Sequence, residues 1–81
     1  MVQSNKALVL ALMRKLVADG SARSLREGAR LSLSEVGRAV GTSPATIFRY
    51  ENRQRVPHGE TAMRYANFLA QLADLQLSAA Q

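Results

Sequence analysis

Between Leu31 and Arg55 the sequence reads LSLSEVGRAVGTSPATIFRYENRQR, and its helix start and stop signals fall too close together for anything but two short helices around a tight turn. Ser32-Leu33-Ser34-Glu35 is a capping box, in which each end residue can satisfy the other's backbone N–H. Helical spacing through Val36 and Val40 then meets Gly41, which can take the left-handed conformation needed at a helix C-terminus. Gly41-Thr42-Ser43 leads directly into a second start, with Ser43 as N-cap and Pro44 at the first helical position. A turn of about three or four residues between two helices is the helix-turn-helix arrangement. The rest of the chain has to pack on that pair.

Every other periodic segment also has helical spacing, and none alternates with period two over a useful length. Pro occurs only at 44 and 57, where a helix begins or a loop ends. The expectation is an all-α fold, a compact bundle of about five helices. A first helix is expected from Ser4 or Asn5, either able to cap it, to Ala18, with Asp19 and Gly20 as the stop. Its stripe is Leu8, Leu12 and Leu16 with Val9, Met13 and Val17; Ala7 and Leu10 lie off it, which implies burial on more than one side, in the domain or against a second subunit. A second helix fits Ser21 to Ala29, capped by Ser21, with Leu25 inward and Arg23, Arg26 and Arg30 nearer the surface. Gly28 weakens its end by about 1 kcal/mol relative to alanine.

The helix opened by Pro44 is expected to reach about Asn52. Ile47 and Tyr50 face the core at i, i+3, leaving Ala45, Thr46, Phe48 and Arg49 on the other side. Arg53 to Gly59 reads as a loop. A last helix from Glu60 buries Ala62, Met63, Ala66 and Leu69 and extends to Leu72, and its tail LADLQLSAAQ carries more leucine than one small core needs. The 81 residues thus read as a single domain, 1–81, with an N-terminal helix at about 4–19 and a leucine-rich C-terminal helix at about 60–78.

Composition narrows the chemistry. Eleven Lys+Arg against six Asp+Glu give a net charge of +5 and a pI near 10.8, which favours a polyanionic partner. Nearly all those cations are arginines, whose guanidinium forks onto phosphate and guanine edges as lysine cannot. Without cysteine there is no zinc or disulfide scaffold, and a reducing, cytoplasmic location fits. The apolar run Ala7 to Met13 is far shorter than the roughly 20 residues that span a bilayer. Arg14 and Lys15 follow it where a signal peptide would need small residues. Catalysis finds little support: one histidine, no paired carboxylates at useful spacing, and no phosphate loop of the G-x-x-x-x-G-K type. No metal, cofactor or small-molecule ligand is expected.

The residues from about Leu25 to Leu69 resemble the lambda repressor/Cro-like helix-turn-helix regulators, the XRE family. The matching positions are L-R-E (Leu25 to Glu27), L-S-L-S-E-V-G (Leu31 to Gly37), V-G-T-S-P-A-T-I (Val40 to Ile47), R-Y-E-N (Arg49 to Asn52), Pro57, and A-x-x-L (Ala66 to Leu69). The resemblance implies five helices, with the third and fourth as the DNA-binding unit. Where the family often has glycine after the turn bearing the glutamate, this chain has Asn52 and Arg53. The helix before Ala18 precedes the family's usual first helix and looks like an addition.

In that arrangement the N-terminal half of the recognition helix faces base edges. At the matching positions Pro44, Ala45, Thr46, Phe48 and Arg49 would meet double-stranded DNA. Arg49 can fork onto O6 and N7 of a guanine, worth about 1–3 kcal/mol of discrimination. Ala45 and the Thr46 methyl suit a thymine methyl, or the Thr46 hydroxyl instead reaches a phosphate; Phe48 either packs on thymine methyls and sugars or folds back on the domain. Arg53 and Arg55 read as phosphate clamps, with Arg38, Gln54 and His58 as weaker candidates, and the helix starts at Ser32 and Ser43 as further phosphate sites. Each of these is also open to the reading of an idle surface group. By resemblance Arg26 and Glu51 take the positions of the family's internal ion pair. A homodimer is expected through surplus apolar surface on Leu69, Leu72, Leu75 and Leu77, with Leu10 on the first helix as the rival surface. The chain ends soon after its fifth helix, so a minimal Cro-like repressor without a sensor domain, of phage or chromosomal origin, is the specific expectation. The alternative is a protein-interaction module, an antitoxin or adaptor, on the same fold.

Overall fold

The computed structural model describes residues 5–79. Within them lie α1 (Lys6–Ala18), α2 (Ser21–Gly28), α3 (Leu33–Val40), α4 (Pro44–Glu51) and α5 (Gly59–Ala79). The helix boundaries follow from local chemistry. Asn5 Oδ1 accepts the N–H groups of Ala7 and Leu8 and so caps α1; Ser4, the other candidate cap, lies outside the described residues. The Ser32 hydroxyl accepts the Glu35 N–H at 3.0 Å while Glu35 Oε1 accepts the Ser32 N–H at 2.8 Å, which closes the capping box of α3. Gly41, at φ 87°, ends it.

At α2 the cap differs from expectation. Ser21 is the first helical residue, Gly20 before it is left-handed, and Asp19 accepts the Ser21 N–H at 2.9 Å. A carboxylate two residues back thus replaces the serine hydroxyl as the capping acceptor. The Ser21 side chain, and then that N–H bond, hold the Asp19 pKa below its ordinary value. The other end of α2 is wound down by Arg30 at φ 59°, with Arg30 N–H on Glu27 O and Leu31 N–H on Arg26 O, the two bonds of a Schellman turn.

α5 packs along α1 and also touches α2 and α3, while α3 packs on α4. The core between them holds Met13, Val17, Val36, Val40, Ile47, Tyr50, Tyr65 and Leu69. Tyr65, absent from the expected set, is among the largest fully buried side chains, its ring centroid 5.1 Å from that of Tyr50. The helix leading to it has its buried stripe at Ala62, Tyr65, Ala66, Leu69 and Leu72, and Met63 is only half-buried. A hydroxyl-bearing ring displaces the expected methionine because the i, i+3, i+4 rhythm runs through 62, 65, 66 and 69.

α1 is turned relative to the expected stripe. Met13 and Val17 are buried and Val9, Leu10 and Leu16 pack beside them, whereas Leu8 and Leu12 face outward. Leu10 therefore serves this core rather than offering itself to a second subunit. Leu69 and Leu72 are likewise buried, which removes them as free dimer surface and leaves Leu75 and Leu77, 62% and 66% exposed.

Two side chains of α5 finish other helices. Arg64 Nε donates to Val40 O at the end of α3 at 2.8 Å, and Gln76 Nε2 donates to Leu25 O in α2 at 2.9 Å. The first satisfies a carbonyl left open at the end of α3, and the second adds to the bond that Leu25 O already accepts from the Ala29 N–H. Among the described residues no helix is long and apolar enough to cross a membrane.

Candidate nucleic-acid interface

The turn between α3 and α4 is held by backbone proximity. Gly37 is buried, and a Cβ built on it would stand 2.8 Å from Thr42 O and 3.1 Å from Ser43 C. The N–H groups of Gly41 and Thr42 both donate to Gly37 O at 2.8 Å. Only a residue without a side chain lets the turn close this tightly over α3.

Closure sets how α4 leaves the domain. Ser43 Oγ accepts the Thr46 N–H at 3.1 Å and lies 2.9 Å from Thr46 Oγ1. Thr46 is 7% exposed. It therefore does not stand on the outer face with Ala45 and Arg49: its hydroxyl completes the cap, and it is unavailable to touch a base. Pro44, Ala45, Phe48 and Arg49 are exposed, at the i, i+1, i+4, i+5 spacing of one helix face. Phe48 is 48% exposed rather than folded back onto the core. Beside it Asn52 turns its amide onto Phe48 O at 2.8 Å.

The candidate phosphate contacts divide. Arg38, Gln54, Arg55 and His58 are exposed. Arg53, although exposed, is engaged: it sits at φ 59°, its N–H on Tyr50 O and the next N–H, of Gln54, on Arg49 O. Here arginine fills the left-handed position that closes α4 in a Schellman turn. Its Nη1 reaches Val17 O at 3.4 Å, tying the loop to the end of α1. The helix start at Ser32 is occupied as well. Glu35 holds the Ser32 N–H, and its carboxylate, whose pKa these Ser32 bonds lower, already places a negative charge where a phosphate would bind. At Ser43 the hydroxyl is spent within the cap, and no carboxylate stands in the first turn of α4.

Arg26 and Glu51 meet beneath this surface. Arg26 Nε and Nη2 donate to the two Glu51 oxygens at 2.6 and 3.0 Å, and Nη1 donates to Leu31 O at 3.0 Å. The Glu51 side chain is only 3% exposed. A bidentate pair of this kind fixes angle as well as distance. It joins α2, the entry to α3 and the last turn of α4, and the Glu51 bond raises the Arg26 pKa.

No curated protein and no solved structure matches the chain. A family model described as Helix-turn-helix matches residues 23–73, which takes in α2, α3, α4 and most of α5 and leaves α1 outside. That match spans more than half of the chain and coincides with the closed turn, the paired caps and the Arg26–Glu51 brace. The chain belongs to the XRE-type, lambda repressor/Cro-like helix-turn-helix family of DNA-binding regulators.

Proposed function

We propose that the chain is a sequence-specific regulator of transcription that lays α4 in the major groove of an operator, with Arg49 as its principal base-reading residue. The supporting observation is the outer face of α4, where Pro44, Ala45, Phe48 and Arg49 stand exposed on a helix whose start and end are both fixed. Arg49 supplies a guanine fork, Ala45 a methyl contact, and the Phe48 ring an apolar contact to thymine methyls and sugars. Arg55, with Arg38, Gln54 and His58, holds the phosphates, and Arg53 joins them by giving up Val17 O. Thr46 and Ser43 act by fixing the helix, and Ser32 has no phosphate role in this reading.

The protein acts as a homodimer on a palindrome with half-sites about 34 Å apart. Leu75 and Leu77, exposed near the end of α5, provide the pairing surface, and regulation is of the Cro-like kind, by abundance. Selection of bound duplexes from a random pool tests both parts. Wild type should return a palindrome with a guanine in each half-site, and Arg49→Ala should lose that guanine while Arg55→Ala lowers affinity evenly. A pool without enrichment at low salt would overturn the reading. A protein-interaction role on the same fold draws on a different observation, the outward Leu8 and Leu12 of α1, beyond the matched residues. A wild-type protein that stays free of every duplex and pulls down a partner only when Leu8 and Leu12 are intact would favour it.

A further inference from the structure

The end of α1 and the loop after α4 line a half-open cavity of about 180 Å³. Buried Met13 and Val17 form its floor, Ala18, Pro57 and the exposed Val56 its sides, and the side chains of Arg14, Arg53 and Arg55 line it as well. Among the described residues none of these three arginines pairs with a carboxylate, and no acidic side chain lines the cavity. Arg53 is held at the rim by its 3.4 Å bond to Val17 O. Size and charge together specify an occupant. A volume of this order is that of a single ring or a short hydrocarbon chain, which the apolar floor would cover on one side while the other faces water. Three arginines without a carboxylate partner among its lining residues favour a negative charge at one end of the occupant.

We propose that this cavity is an effector site for a small apolar carboxylate, one ring or a short acyl chain in size, whose carboxylate engages Arg53 and Arg55. The two arginines are those assigned above to the DNA backbone, so the consequence for DNA rests on the proposed function. A bound carboxylate neutralises them and weakens operator binding; DNA already in place weakens the ligand by the same factor. The site spans the boundary of the family match, with Met13, Arg14 and Val17 on one side and Arg53 to Pro57 on the other. It exists because α1 is present.

The test reads the two claims separately. Benzoate and octanoate are titrated into the ¹⁵N/¹³C-labelled free protein, with benzamide as the uncharged match for benzoate. Saturable shifts confined to Met13, Val17 and Val56 are expected, with benzoate about tenfold tighter than benzamide. Ala18→Leu, which puts added bulk at the cavity wall outside the DNA surface, should abolish the shifts while leaving the spectrum folded and duplex binding unchanged. Shifts that do not saturate, that benzamide matches, or that survive in Ala18→Leu would overturn the site. So would a dimer that Ala18→Leu converts to monomer without any benzoate shift, since the cavity is then filled by a second copy. Competition is measured afterwards on the selected duplex, where saturating ligand should weaken binding by about tenfold in wild type and not in Ala18→Leu. Saturable ligand binding with no effect on the duplex removes the effector role and leaves DNA binding standing; failure to bind any duplex removes the DNA reading and leaves the ligand shifts readable.

Discussion

Arg30 and Arg53 share an unusual backbone, each with φ of 59° at the close of a helix. A left-handed residue with a Cβ costs about 1–2 kcal/mol, which glycine escapes. Among the described residues the Arg30 side chain makes no hydrogen bond or ion pair that repays this, so Arg30→Gly should raise stability by about 1 kcal/mol in urea unfolding, less what glycine loses in unfolded-state entropy. Arg53 recovers part of the cost through Val17 O, and Arg53→Gly should gain less. Tyr65 poses the opposite case: its hydroxyl is buried with no hydrogen-bond partner among the described residues. An unpaired buried hydroxyl costs about 1–3 kcal/mol, so Tyr65→Phe should be neutral or stabilising. Breaking the Arg26–Glu51 pair leaves a charge buried. Arg26→Ala should cost about 3–5 kcal/mol, and any loss of DNA binding in it should track the loss of fold, as far-ultraviolet circular dichroism will show.

At the scale of the element, Gly37 governs the unit. Gly37→Val must push Thr42 and Ser43 off α3, and a loss of about 1–3 kcal/mol is expected, with α4 displaced enough that binding falls further than stability at a temperature where the fold survives. The turn was legible in the sequence because its signals are local. A capping box, a left-handed glycine and a serine-proline start act through residues three or four apart, and α3 and α4 begin where those residues stand. What the sequence hid was decided at a distance. Thr46 reads as an outer-face residue until Ser43 Oγ draws its hydroxyl inward, and α1 reads as apolar on nearly every side until α5 selects Val9, Met13 and Val17 over Leu8 and Leu12. Tyr65 gave no signal of burial, since a tyrosine suits a half-wet surface as well as a core. Arg49, by contrast, stands on the exposed face its register in the sequence indicated.

For the molecule as a whole, charge and pH set two further expectations. With a net charge of +5, binding to duplex should weaken steeply with salt. The logarithmic slope measured by fluorescence anisotropy should fall by about one for Arg55→Ala at a fixed sequence. Stability should decline at both ends of the pH range. Asp19 and Glu35 have folded pKa values below their ordinary 3.8 and 4.5. Their contribution is thus present above those values and lost as pH falls through the folded ones. Tyr65 is raised above its ordinary 10.0, chiefly by burial and then by the nearby Glu51 charge. Its neutral form is the one the fold accepts, so stability is intact below pH 10.0 and lost as pH rises beyond it. In thermal melts across pH, Glu35→Gln should flatten the acid limb and Tyr65→Phe the alkaline one; an alkaline limb unchanged in Tyr65→Phe would assign it elsewhere.

The bonds from Arg64 to Val40 O and from Gln76 to Leu25 O give this architecture a temporal order. α3 and α4 can begin to form as soon as they leave the ribosome, since their caps are their own, but the Val40 carbonyl waits for a helix synthesised later, and the Leu25 carbonyl, already bonded to the Ala29 N–H, gains its second donor only then. The reading head is therefore shaped early and locked late. Arg64→Ala and Gln76→Ala should each hasten the unfolding arm of a chevron, and a refolding arm left nearly unchanged would place both contacts after the rate-limiting step.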